Sequence, residues 1–186
     1  RRPRGRVAVA PVLAASLALL LSLAYGARGL SLPEPSDGLS VAVLQGNIDQ
    51  GVKWDPAFRE APLDTYERLT RDAARRGADL IVWPEAAVPF LLRRDPEARA
   101  RVARLASETK RFLLVGSPDL DGERFYNSAF LISRDGALLQ RYDKIHLVPF
   151  GEYVPLRPLL GFVQKLARGA IGDFVPGREA TVLSTP

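Results

Sequence analysis

The stretch YDKIHLVPFGEYVP, Tyr142 to Pro155, reads as a buried strand running into a turn, with Pro149 and Gly151 supplying the break. Two charges interrupt it. Lys144 stands among apolar residues, and Glu152 follows eight positions later, after Pro149, Phe150 and Gly151. Taking a lone ammonium out of water costs on the order of several kcal/mol unless it is paired or neutralised. Either both groups reach out to solvent, or they belong to a site.

Upstream the chain alternates. SVAVLQGNI (Ser40–Ile48) is a short β-rich run. Asp55 followed by Pro56 is an N-cap with proline at the first helical position, and predicts a helix to about Arg76 with Gly77 as its stop. Tyr66, Leu69 and Ala73 share one face of it. ADLIVWPE (Ala78–Glu85) is a strand running into a turn. Asp95–Pro96 repeats the start signal, for a helix to about Lys110. FLLVGSP (Phe112–Pro118) is a third strand, and FYNSAFLIS and ALLQRYDKIHLV flank the hairpin signal Arg134-Asp135-Gly136. Strand, helix, strand, helix, strand, hairpin predicts an α/β domain with a mixed sheet. Lys144 then falls within a late strand, Glu152 beyond it, and Glu85 just after the nearly all-apolar LIVWP, where sites in open α/β sheets gather. Spacing alone leaves two readings: charges solvated at strand ends and edges, or a paired Glu and Lys serving acyl transfer.

Composition narrows the function classes. With 186 residues, 47% hydrophobic and 25% charged, the chain can bury a sizeable core. It holds no cysteine and one histidine, which excludes disulfides, thiolate metal sites and multi-histidine metal sites. The net charge is +5. Arg1, Arg2, Arg4 and Arg6 carry four of those charges, so the basicity is local and gives no nucleic-acid surface. These arginines precede an uncharged run, VAVAPVLAASLALLLSLAYGA (Val7–Ala27), close to the length of about 20 residues that spans a hydrocarbon core. Their position predicts a cytoplasmic N-terminus. A cleaved signal peptide competes, because Ala24-Tyr25-Gly26 resembles a small-x-small site. So does a buried soluble helix, which the flanking arginines disfavour. SLPEPSDG (Ser31–Gly38) marks a boundary. The expected organisation is a membrane helix with a basic cytoplasmic flank over residues 1–30, a linker over 31–38 and a folded domain over 39–186.

IVWPEAAVP, YNSAFLIS and YDKIHLVPFGEYVP together resemble the nitrilase, or carbon–nitrogen hydrolase, superfamily. More narrowly they resemble the apolipoprotein N-acyltransferase family, bacterial membrane enzymes that add the third acyl chain to lipoproteins. LQGNIDQGVKWDP is similar to that family's opening segment, and the resemblance covers roughly Val41 to Pro155. It implies a nitrilase-like α-β-β-α sandwich, partial in this chain over residues 39–186, preceded by one transmembrane helix. It also implies a Glu–Lys–Cys triad. Glu85 matches the general base, Lys144 the lysine, and Glu152 an additional site glutamate within PFGE. Trp54 matches a tryptophan near the active site, with a boundary-packing indole as the competing reading. The implied acyl donor is a phospholipid such as phosphatidylethanolamine, and the acceptor is a diacylated lipoprotein. The implied place is the bacterial inner membrane, with the catalytic domain on its periplasmic side. No metal and no organic cofactor is implied.

The chemistry accounts for these residue types. A base takes the thiol proton to make a strong nucleophile. A carboxylate in a dry pocket can have its pKa raised toward that task. A lysine stabilises the oxyanion that develops on the attacked carbonyl, and offsets the carboxylate. The family's cysteine has no match here. In the family it lies on a strand following the segment REATVLSTP, so the expectation is a fragment that ends before the nucleophile. The alternatives are a nitrilase-like amidase acting on a small amide and a non-catalytic membrane-tethered module. Ser117 with His146 lacks the G-x-S-x-G elbow of a serine hydrolase. LRPLLGFVQKLARGAIGDF (Leu156–Phe174) offers an apolar helix face, either packed on the domain or dipping into a membrane.

Overall fold

The computed structural model describes residues 9–32, 38–49, 60–154 and 174–185. Helix α1 runs Val9–Leu30, 22 residues, all exposed. At 1.5 Å per residue it is about 33 Å long, against about 30 Å for a bilayer's hydrocarbon core. It is long and apolar enough to cross a membrane. The Ser22 and Ser31 hydroxyls donate to Ala18 O (2.9 Å) and Ala27 O (2.8 Å), so they find partners within their own segment. Helical backbone continues through Ala24–Gly26 and past the apolar run to Leu30, with Arg28 in the last turn, where a cation suits the helix dipole.

From Leu39 onward the chain forms a second compact unit. Its elements are β1 (Val41–Val43), α2 (Glu60–Arg75), β2 (Leu80–Val82), α3 (Pro96–Thr109), β3 (Phe112–Asp121), β4 (Arg124–Ile132) and β5 (Leu138–Asp143). The strands form one mixed sheet in the order β1-β2-β3-β4-β5. The β1–β2 and β2–β3 pairs are parallel; β3–β4 and β4–β5 are antiparallel.

The local signals explain these elements. The Asp95 side chain accepts the Ala98 N–H at 3.0 Å, Pro96 opens α3, and Lys110 closes it in the left-handed region at φ 57. Gly77, at φ 89, follows α2. The Asp55–Pro56 start signal and Trp54 lie outside the described residues, as does nearly all of Leu156–Phe174. In α2 the buried Leu63, Tyr66, Thr70 and Ala73 repeat at helical spacing; in α3, Ala98, Val102, Leu105 and Ala106 do. Both faces pack on Ile81, Leu113, Val115, Phe130 and Ile132, the inward residues of β2, β3 and β4. Each fully buried Leu, Val, Ile or Phe of this layer contributes about 1.5–3 kcal/mol. The described residues thus supply one helix layer and one sheet layer.

Two details differ from expectation. β5 ends at Asp143, so Lys144 lies just after the strand and not within it. The chain departs there because Lys144 N–H makes the last ladder bond, to Asn127 O at 2.8 Å, before the Pro149 turn draws it away. β3 extends to Asp121, past Pro118, because its pairing with β4 runs unbroken to Asp121↔Arg124.

Candidate active site

Strand alternation puts the site on the sheet face away from α2 and α3. Ser128 and Asp143 are paired across β4–β5, so the residues beside them, Asn127 and Lys144, point to the other face. Glu85 reaches that face from the end of β2. Trp83 anchors the turn: its ring stacks on Tyr66 with centroids 5.1 Å apart, and its indole N–H donates to Thr70 Oγ1 at 2.9 Å. Trp83 N–H also bonds Leu114 O (2.8 Å), and Val88 N–H bonds Gly116 O (3.1 Å). Between these clamps Pro84–Ala86 lies directly on Gly116. A Cβ there would sit 2.3 Å from Pro84 O and 2.9 Å from Glu85 Cα. Only glycine lets the turn approach this closely.

Glu152 is placed by a different device. The loop after β5 folds back so that Glu152 Oε2 accepts the Val148 N–H at 2.7 Å, while Glu152 N–H bonds Val148 O at 2.9 Å. Phe150, two residues before it, takes φ 62, and Ala86, next to Glu85, takes φ 48. Left-handed backbone at a non-glycine residue costs on the order of 1–3 kcal/mol and is concentrated at functional sites. Here it flanks both glutamates.

The structure brings the charged groups together. Lys144 Nζ lies 3.1 Å from Glu85 Oε1 and 3.0 Å from Glu152 Oε2. Asn127 Nδ2 donates to Glu152 Oε1 at 2.6 Å and to Glu85 Oε1. Burial grades across the cluster: the Glu152 side chain is 11% exposed, that of Lys144 26% and that of Glu85 59%. Within these residues the turn after β2 leaves the Glu85 carboxylate the most exposed of the three. Burial opposes ionisation of Lys144, but the carboxylates of Glu152 and Glu85 outweigh it and raise the ammonium's pKa. Burial likewise opposes ionisation of Glu152, yet the Val148 N–H, Asn127 and Lys144 hold its pKa below the usual carboxylate value. An ammonium between two carboxylates suits proton transfer at the rim and anion stabilisation beneath it.

Asn127 was not singled out from sequence. Its signal is a carboxamide in the middle of the strand FYNSAFLI, where a buried polar group must find partners. Ser117 has no part in the cluster: its hydroxyl donates to Phe90 O (2.7 Å) on the helix side, and His146 is exposed.

Residues 40–170 match the carbon-nitrogen hydrolase family model. The chain belongs to the carbon-nitrogen hydrolase family. Among curated relatives it is 51% identical over 172 residues to an apolipoprotein N-acyltransferase of Geobacter metallireducens, covering 90% of this chain and 33% of that protein. It is 42% identical over 179 residues to one of Allorhizobium ampelinum, covering 88% and 33%. The chain therefore spans about a third of the length of these relatives. Among solved structures it resembles an amidase from Nesterenkonia sp. AN1 in which acrylamide has added to the active site cysteine (TM-score 0.55, 23% identity, 80% of this chain and 54% of that one). That likeness shows the carbon-nitrogen hydrolase fold.

Proposed function

We propose that these 186 residues are part of an apolipoprotein N-acyltransferase, with Glu85 as general base, Lys144 as oxyanion stabiliser and Glu152 as the group that holds Lys144. The observation that carries this reading is the 3.1 Å contact of Glu85 with Lys144 in a chain half identical to a protein of that name. The required cysteine is assigned to sequence outside these residues, which contain none. In the first half-reaction Glu85 takes the thiol proton and the thiolate attacks the acyl ester carbonyl of a phospholipid. The C–O bond breaks, and the proton passes from Glu85 to the departing alkoxide, leaving a thioester and a lysophospholipid. In the second, the amine of a diacylglyceryl-cysteine attacks the thioester. The C–S bond breaks, and the amine proton returns through Glu85 to the thiolate. An ammonium has three N–H donors. Three carboxylate oxygens of Glu85 and Glu152 lie 3.0–3.2 Å from Nζ, and the oxyanion formed in each half-reaction is assigned to the same ammonium. Helix α1 is assigned to the inner membrane with Ser31 onward on the periplasmic side, because the arginines before Val7 favour retention in the cytoplasm. The boundaries 1–30, 31–38 and 39–186 belong to the same proposal.

The test uses a protein that carries these residues together with the family's cysteine. It is given acyl-labelled phosphatidylethanolamine and, separately, a short aliphatic amide. Protein labelling that hydroxylamine releases, with passage of label to a diacylated lipopeptide, is the expected result. Ammonia release from the amide without lipid labelling would instead assign an amidase.

A further inference from the structure

We propose that Asn127 is a positioning residue that holds Glu85 and Glu152 as a pair of carboxylates around the one ammonium of Lys144. Three observations carry it. The Asn127 amide nitrogen donates to Oε1 of both glutamates. Its backbone carbonyl accepts the backbone N–H of Lys144 at 2.8 Å, so Asn127 sits directly opposite the point where the lysine leaves the sheet. It is buried, 8% exposed, and so held in one place by the sheet.

Two carboxylates and one ammonium sum to a charge of −1. Like charges at close range favour taking up a proton. A proton parked on Glu85 would disable it as a base. An amide nitrogen opposes this by donating to both anions, and it takes up no proton itself at ordinary pH. A second cation there would also hold both carboxylates ionised, but would weaken Glu85 as a proton acceptor. A neutral donor is the residue type that keeps both properties. The proposal depends on the acyltransferase reading only for its kinetic consequence.

The test is carboxyl and ammonium titration by NMR on the 186-residue chain, comparing wild type with Asn127→Leu, Asn127→Asp and Asn127→Gln. Ser128→Ala serves as the control, since its hydroxyl bonds Asp143 on the other sheet face. One of the two glutamates should titrate at least about one pH unit higher in Asn127→Leu and Asn127→Asp. Asn127→Gln, which keeps the donor on a longer arm, should shift less, and Ser128→Ala not at all. In the cysteine-bearing protein the acidic limb of the labelling rate should move up with that titration. The rate at neutral pH should fall about 10- to 150-fold, as for loss of a hydrogen bond to a charged group. Unmoved glutamate titrations in any folded Asn127→Leu or Asn127→Asp chain would overturn the proposal. Moved titrations with no lipid labelling even by wild type would leave it standing and overturn the acyltransferase reading.

Discussion

Replacing Glu152 by Gln tests how the cluster is held. The carboxylate accepts from Val148 N–H, Asn127 Nδ2 and Lys144 Nζ at 2.7, 2.6 and 3.0 Å. Glutamine keeps the shape and one acceptor oxygen. Its NH2 group must face at least one of those donors. Losing one hydrogen bond to a charged group costs about 1.5–3 kcal/mol, and leaving a buried donor unpaired costs about 1–3 kcal/mol. A net loss of about 3 kcal/mol lowers Tm by about 6–12 °C for a unit of this size. Because Glu152 titrates below its unfolded value of 4.5, its contribution is complete above that pH and fades as pH falls through the folded pKa. Calorimetry of both chains at pH 7 and pH 3 should therefore show a wide Tm gap that narrows in acid. A gap of equal size at both pH values would mean that the carboxylate's charge contributes nothing, and the placement of Lys144 would need another cause.

Gly116→Ala should destabilise the fold by about 1–3 kcal/mol and move the Lys144 ammonium resonance, because its methyl displaces the Pro84–Ala86 turn that carries Glu85; thermal melts and NMR check both effects. Arg101 joins α3 to Glu67 (2.7 Å), Asp64 (2.5 Å) and Glu60 of α2. Arg101→Ala should cost about 1.5–3 kcal/mol in denaturant titration, with the loss smaller in 1 M salt, which screens the exposed Glu60 and Asp64 ends. A reporter fused after Gly38 should be active only in a form that works outside the cytoplasm, and activity of a cytoplasm-only reporter would reverse the assigned orientation.

Much of the sheet was legible because its signals are local. Asp95–Pro96 starts α3, Gly77 follows α2, and the alternation of Leu113 and Val115 needs no distant partner to be read. Glu85, Lys144 and Glu152 were legible as charges out of place beside apolar strands. Spacing alone left open whether they converge, because that depends on registers set across the sheet, Pro118↔Asn127 and Ser128↔Asp143; the family resemblance supplied the pairing of Glu85 with Lys144, which the 3.1 Å contact bears out. Asn127 escaped notice for the same reason. A carboxamide carries no charge to mark it, and its function comes only from the two glutamates brought to it from 42 residues before and 25 after. LIVWP reads as core, and the Gly116 contact shows how closely the turn that carries Glu85 packs on β3.

The most direct test of the central claim is thioester formation by the cysteine-bearing protein with Glu85 intact and with Glu85→Gln. The glutamine keeps the size of the side chain and can no longer take the thiol proton. Incubation with acyl-labelled phosphatidylethanolamine should give a hydroxylamine-sensitive label on the wild-type protein and reduce its rate of formation in Glu85→Gln by about 10²–10⁴-fold, the contribution typical of a general base. Labelling of Glu85→Gln at the wild-type rate would contradict the account.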